Sequence, residues 1–178
     1  IARVLESLKN FSEIWVVDSG SADETQNIAQ RMGVKVVNFT WDGRYPKKRQ
    51  WCLENLPLAH DWVFFVDGDE VVTPEVVAEI STLDFQMAGY FVRARYVWGG
   101  RELKHGLKNN KLCLFDRRKI AFPVVDDLDF SGMGEIEGHY QPVLKAPGKI
   151  GQLRSEMLHY VDNIEQWQVR HERYARWE

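Results

Sequence analysis

The densest chemistry in the chain lies between Asp61 and Glu70, where an apolar run from Trp62 to Val66 stops at Asp67-Gly68-Asp69. A short β-branched and aromatic run bounded by polar residues reads as a strand covered on both faces. Two carboxylates one glycine apart, at the carboxyl end of such a strand, sit where open α/β sheets bind their ligands. Mg²⁺ and Mn²⁺ prefer oxygen ligands, and Mg²⁺ takes one or two carboxylates and leaves the rest of its shell to substrate phosphates and water. The spacing therefore predicts a metal-diphosphate site centred on Asp69, with Asp67 beside it. An Asp-Gly-Asp also closes many strands as a plain solvated turn, so the surrounding elements carry the decision.

Those elements read as an α/β domain. Ile1, Val4, Leu5, Leu8 and Phe11 share one helix face. Glu13 to Asp18 follows as a strand, then the turn Asp18-Ser19-Gly20-Ser21-Ala22-Asp23. Ser21 with Glu24 three residues on has the form of a capping box, opening a helix that stops at Gly33. Val34 to Phe39 is the next strand, and strand, capped helix, strand is the βαβ unit of a parallel sheet. Trp41 to Arg49 is an aromatic and basic loop in which Pro46 starts a helix carrying Trp51, Leu53 and Leu56. Its cations, Lys47, Lys48 and Arg49, come just before the carboxylate strand and suit a diphosphate as well as they suit a solvated face. Thr73-Pro74-Glu75 opens a further helix to Ile80.

The second half reads as smaller antiparallel pieces. Gly89 to Trp98 is a strand with Arg93 and Arg95 on one side, and Lys111–Phe115 and Lys119–Phe122 form a hairpin about Asp116-Arg117-Arg118. A polar stretch with Asp126, Asp127 and Asp129 leads past Gly132 and Gly134 to Glu135-Ile136-Glu137-Gly138-His139, a flexible loop. The last segment, started by Asp162 or Asn163, is an amphipathic helix with aromatic and arginine faces. It suits peripheral contact with an anionic membrane surface, but packing on the domain more, since Glu165, Glu172 and Glu178 dilute its positive face.

Composition narrows the classes. A chain of 178 residues, 44% of them hydrophobic, suits one domain. A net charge of −3 does not mark a general nucleic-acid binder. Two distant cysteines, Cys52 and Cys113, make neither a disulfide scaffold nor a zinc site, and point to a reducing compartment. No run approaches the roughly 18 apolar residues of a membrane span.

Val17-Asp18-Ser19-Gly20-Ser21-Ala22-Asp23-Glu24-Thr25, followed by a helix ending in Gly33, a strand, a basic helix start and Val66-Asp67-Gly68-Asp69-Glu70, resembles the family 2 glycosyltransferases of the GT-A fold. Within that group the chain is similar to short bacterial enzymes of lipopolysaccharide-core and exopolysaccharide assembly. The resemblance implies one GT-A domain over residues 1–178: a mostly parallel central sheet flanked by helices, a small antiparallel acceptor-side part and a C-terminal helix. Residues 1–88 would then bind the nucleotide and 89–178 the acceptor. It assigns Asp18 to the nucleotide base, Asp67 to the ribose or the metal, Asp69 to a divalent cation (Mg²⁺ or Mn²⁺), and Lys48 or Arg49 to the nucleotide. A late histidine completes the metal shell in several such enzymes, and His159 stands in a suitable place, as a core histidine also would. The family's first strand and its Asn-Glu loop do not occur in this sequence.

Transfer from a nucleotide-diphosphate sugar, UDP more than GDP, to a hydroxyl of a glycan or lipid-linked acceptor then needs a general base. Glu137 is the first choice, with Glu135 and Asp127 as rivals. Direct displacement inverts the anomeric carbon. The expected location is the cytoplasm, at the cytoplasmic face of the inner membrane. Two other readings stay open: a sugar nucleotidyltransferase, and a non-catalytic module derived from a transferase.

Overall fold

The computed structural model describes residues 1–106, 108–129, 134–137 and 140–177. Helix α1 (Ala2–Leu8) buries Val4 and Leu5, two of the five residues its apolar spacing singled out. Strand β1 (Trp15–Asp18), helix α2 (Thr25–Arg31) and strand β2 (Lys35–Asn38) form the expected βαβ unit. The two strands run parallel, from Trp15 opposite Lys35 to Asp18 opposite Asn38. Gly33, at φ 72°, ends α2 in the left-handed region that glycine enters without steric cost. The capping box does not form. Helix α2 begins at Thr25 behind an N-cap Glu24 that makes no side-chain cap bond, because the Ser21 hydroxyl is spent on Asp18.

After helix α3 (Lys48–Asn55), strands β3 (Trp62–Phe64) and β4 (Glu70–Val71) flank the carboxylates, and helix α4 (Pro74–Ser81) starts with the Thr73 hydroxyl accepting from Val76 N, as its Thr-Pro-Glu start requires. Strand β5 (Gly89–Trp98), the short β6 (Arg101–Glu102), β7 (Asn109–Asp116), β8 (Ile120–Ala121), β9 (Val143–Leu144), β10 (Ile150–Val161) and helix α5 (Ile164–Trp177) complete the order. Six strands make one sheet in the order β3-β7-β5-β10-β4, with β6 added to β5. Within this sheet the parallel pair is β5 with β10; the other pairings are antiparallel.

The anticipated hairpin after Asp116 is absent: β8 pairs with β9, not with β7. Arg118 instead folds back on Asp116, whose carboxylate takes its backbone N–H and guanidinium. Helix α5 rests on the sheet through Trp167, edge-on to Trp98 at 5.3 Å.

The sheet carries a core on each face. One packs Val76 of α4 and Val72 against Tyr90, Val92, Ala94, Leu114 and Met157, closed by Leu8 and Phe11 from the α1 side. The other joins Leu53 of α3 to Phe115, Ile120 and Phe122. Gly89 has no room for a side chain: a Cβ there would lie 2.7 Å from Cβ of Phe115. Between the β1–β2 pair and the six-stranded sheet lies a cavity of about 750 Å³, with Trp15 and Val17 on one wall and Trp62 to Val66 on the other. Trp62–Phe64 is accordingly half-buried, where its apolar run suggested cover on both faces.

Candidate active site

The carboxyl ends of β1 and β3, the start of α3 and the segment 135–137 all meet at this cavity, which Lys48, Arg49, Asp67, Gly68, Glu135 and Glu137 line. Asp67 follows directly on β3. Its backbone N–H donates to Glu70 Oε2 at 3.0 Å while its carbonyl accepts from Glu70 N at 2.9 Å, so the Asp-Gly-Asp-Glu run is a closed turn. One carboxylate oxygen accepts from Arg49 Nη2 at 2.8 Å and the other from Lys111 Nζ at 2.7 Å. Lys111 also lies 2.5 Å from Glu70 Oε1. Burial alone would raise the Asp67 pKa, but Lys111 and Arg49 override it and hold the carboxyl well below the usual range. The Lys111 ammonium is raised to match: burial opposes its charge, and Asp67 and Glu70 outweigh burial.

Lys111 was not foreseen as a site residue, although a signal for it exists. Phe64 lies opposite Leu114 in the antiparallel β3–β7 pair. Three residues beyond Phe64, Asp67 comes level with Lys111, the lysine just before the apolar run Leu112–Phe115 of β7.

Asp69 is placed by the β4–β10 pairing. His159 stands opposite Glu70 in that register, and Tyr160 N donates to the Asp69 carbonyl at 2.8 Å. This brings His159 Nε2 to 3.7 Å from Asp69 Oδ2, with His159 Nδ1 3.6 Å from Glu70 Oε1 and the Tyr96 ring edge-on at 4.9 Å. Burial by itself would lower the His159 pKa; the nearness of Glu70 and the charge of Asp69 outweigh it and hold the imidazole above its ordinary value. The Glu70 contact of the imidazole, at 3.6 Å, exceeds hydrogen-bond length, so Glu70 acts on it through charge.

Among the described residues no three His, Cys, Asp or Glu side chains converge as a cation site. Asp69 and His159 converge as a pair. One carboxylate and one imidazole suit Mn²⁺ or Mg²⁺ with phosphate and water oxygens completing the shell. The donor set of Asp69 and His159 therefore fits a divalent cation. Asp67 has both oxygens committed to cations, which suits it to positioning Arg49 and Lys111.

Asp18 is buried and accepts from Gly20 N at 3.0 Å, Ser21 N at 2.9 Å, Gln26 Nε2 at 2.7 Å and the Ser21 hydroxyl. Burial would raise its pKa; the Ser21 hydroxyl, the Gln26 amide and the two backbone amides hold it below the ordinary value. Its first task is thus to shape the turn after β1. Lys48 reaches Ser19 Oγ in that turn at 2.7 Å and lies 3.6 Å from Glu135 Oε1.

The three candidate bases separate. Asp127 is sealed against Lys47 at 2.7 Å, with side-chain exposures of 4% and 0%, and the Tyr45 hydroxyl lies 2.5 Å from its other oxygen. Glu137 is 3% exposed and accepts from Arg49 N at 2.5 Å and Gln50 N at 3.1 Å. Burial raises its pKa against the pull of Arg49 and these amides. A sealed ion pair and a carboxylate capping a helix from within the protein are poorly placed to meet an acceptor hydroxyl, so neither Asp127 nor Glu137 is the base this geometry favours. Glu135, 26% exposed at the cavity, is open to one. Gly132, Gly138 and His139 lie outside the described residues.

A family model described as Glycosyl transferase family 2 matches residues 1–133. An uncharacterized glycosyltransferase of Rickettsia conorii is 41% identical over 82 residues, 46% of this chain and 28% of the relative. A second, from Rickettsia felis, is 40% identical over the same shares. The lipopolysaccharide core biosynthesis glycosyltransferase LpsC of Rhizobium meliloti is 28% identical over 103 residues, 53% of this chain and 37% of the relative. The matches thus span 28% to 37% of the length of these curated relatives.

Proposed function

The chain belongs to glycosyl transferase family 2, and from that premise we propose that it takes part in inverting transfer of a sugar from a nucleoside-diphosphate sugar to a hydroxyl of a glycan or lipid-linked glycan. The observation that carries the reading is the placing of Asp69 beside His159, next to the cavity that Lys48, Arg49 and Asp67 line. Asp69 and His159 would hold a divalent cation, which supplies Lewis-acid stabilisation of the departing diphosphate when bound. Lys48 and Arg49 supply fixed positive charge for the same leaving group. The turn that Asp18 organises offers its backbone and side chains to the nucleoside. Glu135 takes the proton of the attacking hydroxyl.

UDP is the favoured nucleotide, with GDP second. The acceptor class is drawn from the lipopolysaccharide-core role in the name of the Rhizobium relative. We place the reaction at the cytoplasmic face of the inner membrane; among the described residues no helix is long and apolar enough to cross a membrane.

Calorimetric titration of UDP and of GDP, each with and without Mn²⁺, tests the reading. One nucleotide should bind in a metal-dependent way. Asp69→Asn should weaken that binding on the order of a hundredfold, since even the outer partners of metal ligands act on a ten- to hundredfold scale. Wild-type protein that binds neither nucleotide, or Asp69→Asn protein that binds as well as wild type, would sink it.

A further inference from the structure

Helix α3 begins without a side-chain cap of its own. Its first amides are nevertheless all taken, and by one distant stretch. Lys48 N donates to the Glu135 carbonyl at 3.2 Å, and Arg49 N and Gln50 N both donate to Glu137 Oε1. The same stretch is tied down from the other side, because Lys47 Nζ donates to the Ile136 carbonyl at 3.0 Å while holding Asp127. Tyr45 adds its hydroxyl at Asp127 and at the Val125 carbonyl. From this turn of α3 the Lys48 and Arg49 side chains leave for the other side of the cavity, to Ser19 and Asp67.

The start of a helix attracts anions because its amides are unpaired and its dipole is positive there. Glu137 fills that place, so the amides of α3 are closed to a phosphate and the two side chains of the same turn are what remains for one. Their aim depends on the turn staying wound. A buried carboxylate serving two adjacent N–H groups holds the turn more firmly than a solvated cap, since without it both donors would be left unpaired.

We propose that Glu137 is a positioning residue for the donor diphosphate: by capping α3 across 88 residues it fixes the turn from which Lys48 and Arg49 reach the site, and so couples donor binding to the order of the acceptor-side segment. The coupling rests on the donor reading above; the cap itself does not.

Two readouts separate them. The first is amide hydrogen exchange at Arg49 and Gln50 in wild type and Glu137→Ala, which needs no ligand. The second is the affinity of wild type, Glu137→Ala and Glu137→Gln for UDP and GDP with Mn²⁺, set against uridine and guanosine. In Glu137→Ala both amides should exchange faster and the diphosphate affinity should fall about tenfold, the scale of a lost helix cap, while the nucleoside affinity holds. Glu137→Gln keeps an acceptor oxygen and should stay within about threefold of wild type. Where Glu137→Ala is too unstable to measure, Glu137→Asp retains the charge but shortens the reach, and should lose diphosphate affinity in the same selective way. Unchanged exchange overturns the cap. Unchanged diphosphate affinity in both the Ala and Asp variants, equal losses for diphosphate and nucleoside, or a Gln variant as weak as Ala overturns the coupling. Wild-type protein that binds neither diphosphate overturns the donor reading and the coupling together, with the exchange result still deciding the cap.

Discussion

Two lysine-carboxylate clusters lie on either side of the start of α3, and they use buried charge in opposite ways. Lys47 and Asp127 are sealed, at 0% and 4% side-chain exposure. Asp67, held by Arg49 and Lys111, keeps 40% of its side chain exposed. A sealed pair has no partner to exchange and acts as a fastener, whereas an open network can trade water for a ligand. The sealed pair should therefore be the costlier to break. Lys47→Met leaves Asp127 buried without its cation and should lower the unfolding free energy by about 3–5 kcal/mol. Adding Asp127→Leu should restore most of the loss, because two apolar groups replace the pair without a stranded charge. Denaturant unfolding of both variants checks this, and a double variant as unstable as the single one would show that the fastening is not ionic.

The open cluster should give the opposite balance. In Arg49→Gln, Asp67 retains Lys111 and water, so the loss of stability should be about 1 kcal/mol, the scale of a partly exposed ion pair. Nucleoside diphosphate binding should fall about tenfold, the cost of one charge-assisted contact. Stability lost as heavily as in Lys47→Met, with nucleotide binding intact, would erase the distinction between the clusters.

The same division explains what the sequence could and could not announce. The βαβ unit, the Thr73 cap and the carboxylates after β3 are written in local pattern: an apolar run, a turn residue, a hydroxyl before Pro74. Contacts that close over long separations leave no such trace. Glu137 caps a helix 88 residues upstream, and a Glu among glycines reads as a polar loop until that helix is in place. Strand β10 went unread for a related reason. Gly151, Arg154, Ser155 and Glu156 interrupt its apolar pattern, and its register with β5 shifts between Gln152 and Glu156. Parallel pairing with a strand some 60 residues earlier then restores what the local pattern lacks. His159 shows both limits at once: its candidacy was visible by resemblance, but its approach to Asp69 depends on β4 and β10 being neighbours. The capping-box misreading of Ser21 has a simpler cause. Asp18 competes for the same hydroxyl and, being buried, wins it.

Asp18 offers the smallest and sharpest test, since it is a buried carboxylate that accepts its hydrogen bonds from neutral amides. At neutral pH Asp18→Asn keeps an acceptor oxygen for Gly20 N and Ser21 N, so it should change stability less than either cation variant. The difference should appear in acid. A carboxyl held below its ordinary pKa in the folded state contributes stability that is fully present above the unfolded value of about 3.9, and loses it as pH falls through the folded value. Other carboxylates, Asp67 and Asp116 among them, share that direction and give the wild type a steep acid limb. Removing Asp18 as a titrating group should make the limb shallower below about pH 4 while leaving the curve above that pH parallel to wild type. Unfolding free energies followed from pH 7 down to pH 3 measure this, and acid limbs of equal slope would mean that the turn's amides do not favour the ionised form of Asp18. In that case the turn must be held by its own backbone, leaving the Asp18 carboxylate available to a ligand.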